Sequence, residues 1–312
     1  MMRKWLITLL AGMLVVTIAP AATADDDHDG GLTYLALGDS VAAGTQQPAP
    51  FTDNGYTNSL FKRLEGAYGF DTFVNLACPG DDTIEMLFGI GGGSPFGSAC
   101  YGPFAQLPPG GPSQLDAAVA YLGTHPGEVG LITIAIGAND VLACDPTDPP
   151  AVLNACVAAQ LGQIGSNLPV IVGTLQAAAP GVPIVAMNYY NPNLAYWITG
   201  AEGQALAIQS QALTAAFNGT LQAVYDAFWV PVADVAGAFS TYQDQGGDPP
   251  KNVRVVCQLT LMCEKSGGSF VLSDYDPVTP GPQTDIHPSD TGYWKIALTH
   301  FKLIEKYELI GD

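Results

Sequence analysis

Five short runs of β-branched or other apolar residues, each bounded by Gly, Pro or polar positions, punctuate the chain at Leu32–Leu37, Thr72–Leu76, Leu131–Ile136, Pro183–Met187 and Trp229–Val232. Their apolar character is nearly continuous instead of alternating, which is the pattern of strands covered on both faces. Between them the apolar spacing becomes helical, over Tyr56–Tyr68, Gln114–Leu122, Ala151–Ala179, Gly203–Phe228 and Thr291–Tyr307. A break is expected in the third of these near Pro169, because proline removes a helical N–H and crowds the preceding turn. Strands that alternate with helices predict an α/β fold, a three-layer α/β/α sandwich around a central parallel sheet. Ligands of such sheets bind beyond the carboxyl ends of the strands. That rule points to "GDS" after the first strand, "NLACPGDDT" after the second and "AIGAND" after the third.

Two stretches are loops of unusual length: Met86–Pro112, rich in Gly and Pro with Phe88, Phe96, Tyr101 and Phe104 interleaved, and the aromatic Asn188–Gly200. Long loops in compact domains tend to carry function. The first has two readings, the lining of an apolar pocket or a cover over the core.

The N-terminus adds a compartment. Arg3 and Lys4 precede an apolar stretch from Trp5 to Ala19 and then "ATA" at Ala22–Ala24, the layout of a signal peptide cut before Asp25. The expected organisation is a signal peptide over 1–24, an acidic tail over 25–31 and one large domain over 32–312. The apolar run is shorter than the ~20 residues a bilayer needs, and no later segment reads as long and apolar enough to span. The protein is therefore expected to be secreted, with no stable membrane insertion.

Charge narrows the partners. The formal net charge is −19, from 29 acidic against 10 basic residues, and loss of Arg3 and Lys4 makes the mature chain more acidic still. Such a surface repels nucleic acid and anionic lipid. The expected partner is a small-molecule or lipid-like substrate met by a monomer. All six cysteines follow the expected cleavage site, in an oxidising compartment where disulfides persist. Each neighbouring pair flanks a Gly/Pro-rich or polar segment, which favours Cys78 with Cys100, Cys144 with Cys156 and Cys257 with Cys263. The first would close a loop of about 22 residues, a restraint of roughly 3 kcal/mol in the chain-entropy picture. No pair has the close spacing of a structural zinc site, and neither a metal nor a cofactor is expected.

Four histidines are present. His28 lies in an acidic tail, His125 precedes Pro126 at a turn, and His300 falls inside the last helix. His287 stands in a polar turn, "QTDIHPSD", just before that helix and close to Asp285, where an imidazole can take a proton from a serine. The G-x-S-x-G elbow occurs around no serine in the chain. Ser40, at a strand end, is the best placed. Gly80 allows close backbone approach and Asn139 offers an uncharged amide, so with the Ser40 N–H they form a set of donors for a developing oxyanion.

"LGDS", the glycine of "NLACPGDDT", "GAND" and "DIHP" occur in the order and rough spacing of the four signature blocks of the SGNH, or GDSL-type, hydrolases. The mature chain resembles that superfamily over nearly its whole length, and is similar above all to its secreted, disulfide-bearing bacterial esterases and lipases. The resemblance implies the flavodoxin-like fold of that superfamily, Ser40 as nucleophile, His287 as base, and Gly80, Asn139 and the Ser40 amide as the oxyanion hole. Asp39 would then fix the turn, while Val41, Ala42, Ala43 and Gly44 leave room for an ester. One position departs from the pattern. The family's acid stands three residues before the histidine, where this chain has Thr284; Asp285 stands two before. Asp285 is the expected third catalytic residue provided a turn brings it to the imidazole; a backbone carbonyl orienting a Ser–His dyad is the other arrangement. The resemblance and the apolar loops together imply a serine esterase or lipase acting on lipid-like or aliphatic acyl esters. A carbohydrate O-acetyl esterase and a non-catalytic binding protein on the same fold are the alternatives.

Overall fold

The computed structural model describes residues 31–89, 113–146, 148–273 and 284–311. The expected signal peptide and acidic tail, most of the Met86–Pro112 loop and Cys100 lie outside them.

Five strands form one sheet: β1 (Leu32–Gly38), β2 (Phe70–Asn75), β3 (Val129–Ala135), β4 (Ile184–Met187) and β5 (Val232–Ala233). Their order is β2-β1-β3-β4-β5, and every neighbouring pair is parallel. This is the flavodoxin-like winding, whose direction reverses between β1 and β3 and opens a crevice at their carboxyl ends. The central strands are buried on both faces, as Tyr34, Leu35, Ala36 and Leu37 of β1 and Leu131, Ile132 and Ile134 of β3 show.

Helices supply the covering layers. α2 (Tyr56–Tyr68) packs with α10 (Asp290–Lys306), while α4 (Gln114–Thr124) and α7 (Ala201–Ala227) pack against α6 (Pro150–Ala178). α2 matches its predicted span because Tyr56, Leu60 and Leu64 recur at helical spacing toward the core, and the chain then turns at Gly69, φ +71°. Short helices α1 (Ser40–Ala43), α3 (Thr83–Phe88), α5 (Ala138–Leu142) and α8 (Val235–Ala238) follow strand ends and loops.

Several expectations are corrected. α6 runs unbroken through Pro169: Ile164, Leu168, Ile171, Val172 and Leu175 are buried on both sides of the proline, and this packing outweighs the lost hydrogen bond. Contrary to the expectation that no later segment is long and apolar enough to span, α6 is so by length and composition, with a mean hydropathy of 1.3; interleaved Gly, Gln, Ser and Asn mask its apolar run. Here its buried stripe faces the core. The fifth strand is shorter and later than expected, since Trp229 is a left-handed turn residue (φ 58°) and 91% exposed. Met86–Phe88 belong to α3, which begins with a capping box between Asp82 and Glu85. The Asn188–Gly200 segment contains a 3₁₀ stretch, Pro192–Thr199. Two further elements had no expectation, α9 (Lys251–Leu259) and an antiparallel hairpin of β6 (Cys263–Ser266) and β7 (Ser269–Leu272).

Disulfides join Cys144 to Cys156 and Cys257 to Cys263, as the pairing by neighbours anticipates. Cys78 is disulfide-bonded too; its expected partner, Cys100, lies outside the described residues.

Candidate active site

The end of β1 is pressed against the end of β3. Gly38 sits at φ +147°, and a Cβ there would meet the Ala135 carbonyl oxygen at 2.3 Å, so only glycine fits. The Asp39 N–H then donates to the Ala135 oxygen at 2.8 Å. Asp39 caps α1, its Oδ1 accepting from the Val41 N–H at 2.9 Å. Ser40 is thereby the first residue of a one-turn helix at the crevice. Its small neighbours serve packing more than access: Ala42 and Ala43 are buried, and a Cβ on Gly44 would lie 2.7 Å from the Gly55 Cα.

Two residues that sequence reasoning missed hold this turn. The Tyr189 hydroxyl, on the loop after β4, donates to Asp39 Oδ2 at 2.6 Å. Gln114, fully buried at the start of α4, brackets Gly38: its Oε1 accepts from the Gly38 N–H and its Nε2 donates to the Gly38 oxygen, both at 2.9 Å, and also to Asp81 Oδ2 at 2.7 Å. Neither contact leaves a local sequence signal, because the partners lie 150 and 76 residues apart.

Gly80 lies at φ +93° in the loop after β2. The next residue, Asp81, offers its carbonyl to the Asn139 side chain at 2.8 Å. Asn139 is near the start of α5, after Gly137. An amide nitrogen carries two hydrogens, and one of Asn139's is held by this bond.

His287 is 8% exposed, in the turn before α10. Its Nδ1 lies 2.6 Å from Asp285 Oδ1, and the same oxygen accepts the His287 backbone N–H at 3.0 Å. This is an Asx turn, and it is how an acid only two residues before the histidine reaches the ring. Asp285 Oδ2 accepts from the Gln47 N–H at 2.9 Å, and the turn is fixed from outside by the Tyr190 hydroxyl on the Ile286 oxygen and the Leu261 N–H on the His287 oxygen. Thr284 makes no comparable contact in the hydrogen-bond network among the described residues. Burial alone pushes the Asp285 carboxyl up, but the imidazole hydrogen bond, the ring charge and the two backbone N–H groups outweigh it and hold it below 3.8.

Asp39 behaves in the opposite way. Burial raises it to about 6 against the lowering effects of Tyr189, Val41 and His287. Asp140, beside Asn139, is also pushed to about 6 by burial, although Thr83 and Gln163 hydrogen-bond to it. The other histidines are structural where described: His300 is a core residue stacked on Tyr56, held near 4 by burial, and His125 closes α4 stacked on Tyr121.

Ser40, Asn139 and His287 line one cavity of about 160 Å³. Gly80 and Asp285 are not among its lining residues: Gly80 precedes Asp81, whose carbonyl holds Asn139, and Asp285 is bonded to His287. Much of the remaining wall is apolar and comes from α5, α6, α7 and residues 189–193.

The sequence pattern of the GDSL-like lipase/acylhydrolase family matches residues 36–295. The chain belongs to that family. It is a carboxylic ester hydrolase. A comparison with curated proteins yields no match. Among solved structures, the phospholipase A1 from Streptomyces albidoflavus NA297 is similar in fold, at 16% identity and a TM-score of 0.52 over 89% of this chain and 99% of that one. The extracellular lipase from Streptomyces rimosus is similar to the same degree, at 16% identity and a TM-score of 0.53 over 88% and 99%.

Proposed function

We propose that this protein is a secreted serine esterase or lipase that hydrolyses lipid-like or aliphatic acyl esters through an acyl-serine intermediate. The observation that carries the reading is the buried Asp285–His287 pair opening on the cavity that also holds Ser40 and Asn139. Ser40 Oγ attacks the ester carbonyl while His287 Nε2 takes its proton. Asp285, on Nδ1, fixes the tautomer and stabilises the imidazolium. The carbonyl oxygen gains negative charge and is met by the Ser40 and Gly80 amides and the second hydrogen of the Asn139 side chain. The C–O bond to the alcohol breaks as His287 returns the proton to the leaving oxygen. Water, deprotonated by His287, then attacks the acyl-serine, releasing the acid and restoring Ser40.

A binding protein needs no buried acid–imidazole pair, and an acetyl esterase needs no apolar cavity of this extent. Export is supported by the N-terminal pattern at residues 1–24 and by the disulfides. The test is a panel of esters from acetyl to long-chain acyl, with phospholipid and acetylated xylan, run on the wild type and Ser40→Ala, together with labelling by a fluorophosphonate. The expected result is turnover of aliphatic esters and a label on Ser40, both absent from Ser40→Ala. Turnover unchanged in Ser40→Ala overturns the reading.

A further inference from the structure

We propose that the space enclosed by α5, α6 and α7 is the acyl-chain site, closed by the side chains around the Cys144–Cys156 disulfide, and that Val157 and Leu213 set the chain length accepted. The inference rests on the acyl-serine reading above and adds which part of the ester is recognised, and by what.

α5 leads away from Asn139 through Val141 and Leu142, and the chain reaches Cys144 just beyond its end; all four residues line the cavity. There the lining merges with a separate apolar cluster in which Cys144, Leu153 and Val157 are buried and Leu213 and Cys156 pack against them. The disulfide ties the end of α5 to the second turn of α6, so this wall is covalently fixed.

The polar groups along the cavity are largely satisfied within the protein. Asn191 donates to Ser210 Oγ at 2.9 Å, the Ser210 hydroxyl donates to the Ala207 oxygen, and the Tyr189 and Tyr190 hydroxyls are held by Asp39 and the Ile286 carbonyl. Apart from Asp39 and His287, no lining residue among those described is an acid, a lysine, an arginine or a histidine. A chain of methylenes therefore enters past polar side chains that are mostly already paired, Gln209 and Thr214 apart, and each one buried raises kcat/KM about fourfold until the wall is met. A site walled by a fixed cluster suits the portion of the ester that stays bonded to Ser40. The alcohol takes a proton from His287 and leaves.

The experiment measures kcat/KM for linear p-nitrophenyl acyl esters from acetate to palmitate, and separately for acetate esters of linear alcohols. Wild type, Ser40→Ala, Leu213→Trp and Val157→Phe are compared, with Val170→Phe on the exposed side of α6 as a control. The octanoate-to-acetate ratio of the wild type is expected to fall about tenfold or more in Leu213→Trp, the loss of roughly two buried methylenes, with the series over alcohols unchanged and Val170→Phe like wild type. Val157→Phe carries the same test if Leu213→Trp does not fold. An acyl profile unaltered in the folded variants, or a contraction of the alcohol series instead, overturns the proposal while leaving the Ser40 mechanism in place. Activity in Ser40→Ala defeats that mechanism itself, so the two failures are distinct.

Discussion

Two aspartates flank the proposed chemistry, one on the turn that carries Ser40 and one on the turn that carries His287. Asp39 and Asp285 are 1% and 6% exposed, yet Asp39 is raised to about 6 and Asp285 is held below 3.8. Burial pushes both upward. The difference is the company each keeps. Asp39 accepts from one phenol and one backbone N–H and feels His287 only at a distance, whereas Asp285 accepts from the imidazole itself and from two backbone N–H groups. A cap that shapes a turn tolerates partial protonation. An acid that must hold an imidazolium does not, and three donors keep it ionised.

The largest expected effect comes from removing the group that separates the two acids. His287→Ala should lower kcat on the order of 10⁴-fold or more, since members of such a unit fail together. Asp39→Asn should reduce kcat by less than about tenfold, because asparagine retains a capping oxygen for Val41. Steady-state kinetics on one ester checks both; equal losses would erase the distinction drawn here.

Stability against pH gives the next effect, with opposite signs for the two acids. A raised folded pKa means that the native state binds the proton more tightly than the unfolded chain. Asp39 and Asp140 therefore destabilise the fold above about 6, and that penalty is relieved as the pH falls toward about 4. Asp285, lowered, contributes stability that is present above 3.8 and lost as the pH falls through its folded value. The melting temperature should rise by about 5 °C between about pH 7.5 and pH 5 and drop in stronger acid. Asp39→Asn and Asp140→Asn should each flatten the rise without moving the acid limb, which scanning calorimetry over pH would reveal.

The smallest effect isolates the tyrosine. Tyr189→Phe leaves Asp39 Oδ2 without its donor, a loss of about 1–3 kcal/mol, and moves the Asp39 carboxyl further above 6. Melting should fall by a few degrees with kcat within about tenfold, consistent with an effect through the turn. Unaltered melting would show that the bond carries no stability.

Much of this was legible from short-range pattern. The first four buried strands and the span of α2 follow from local apolar spacing, the two disulfides from the pairing of neighbouring cysteines, and the convergence of Ser40, Asn139 and His287 on one cavity from the family resemblance that names them. What escaped depends on distant partners or on competing packing. Tyr189 and Gln114 are ordinary residues until the fold brings them to Asp39 and Gly38. Pro169 breaks the helix by local rules and is overruled by the buried residues around it. The β6–β7 hairpin did carry a signal, the Gly267–Gly268 pair between two short runs, and so was readable. Asp285 lies between these cases: its proximity was visible, but the Asx turn that brings it onto Nδ1 was not.

That turn is the central claim, and the most direct test is kcat for Asp285→Asn beside Ser40→Ala on the same ester, with the fold checked by circular dichroism. If Asp285 orients and charges His287 as the 2.6 Å contact implies, kcat should fall by about 10³-fold or more toward the floor set by Ser40→Ala. Near-wild-type turnover in Asp285→Asn with Ser40→Ala inactive would contradict the account and leave a Ser40–His287 dyad oriented by the backbone.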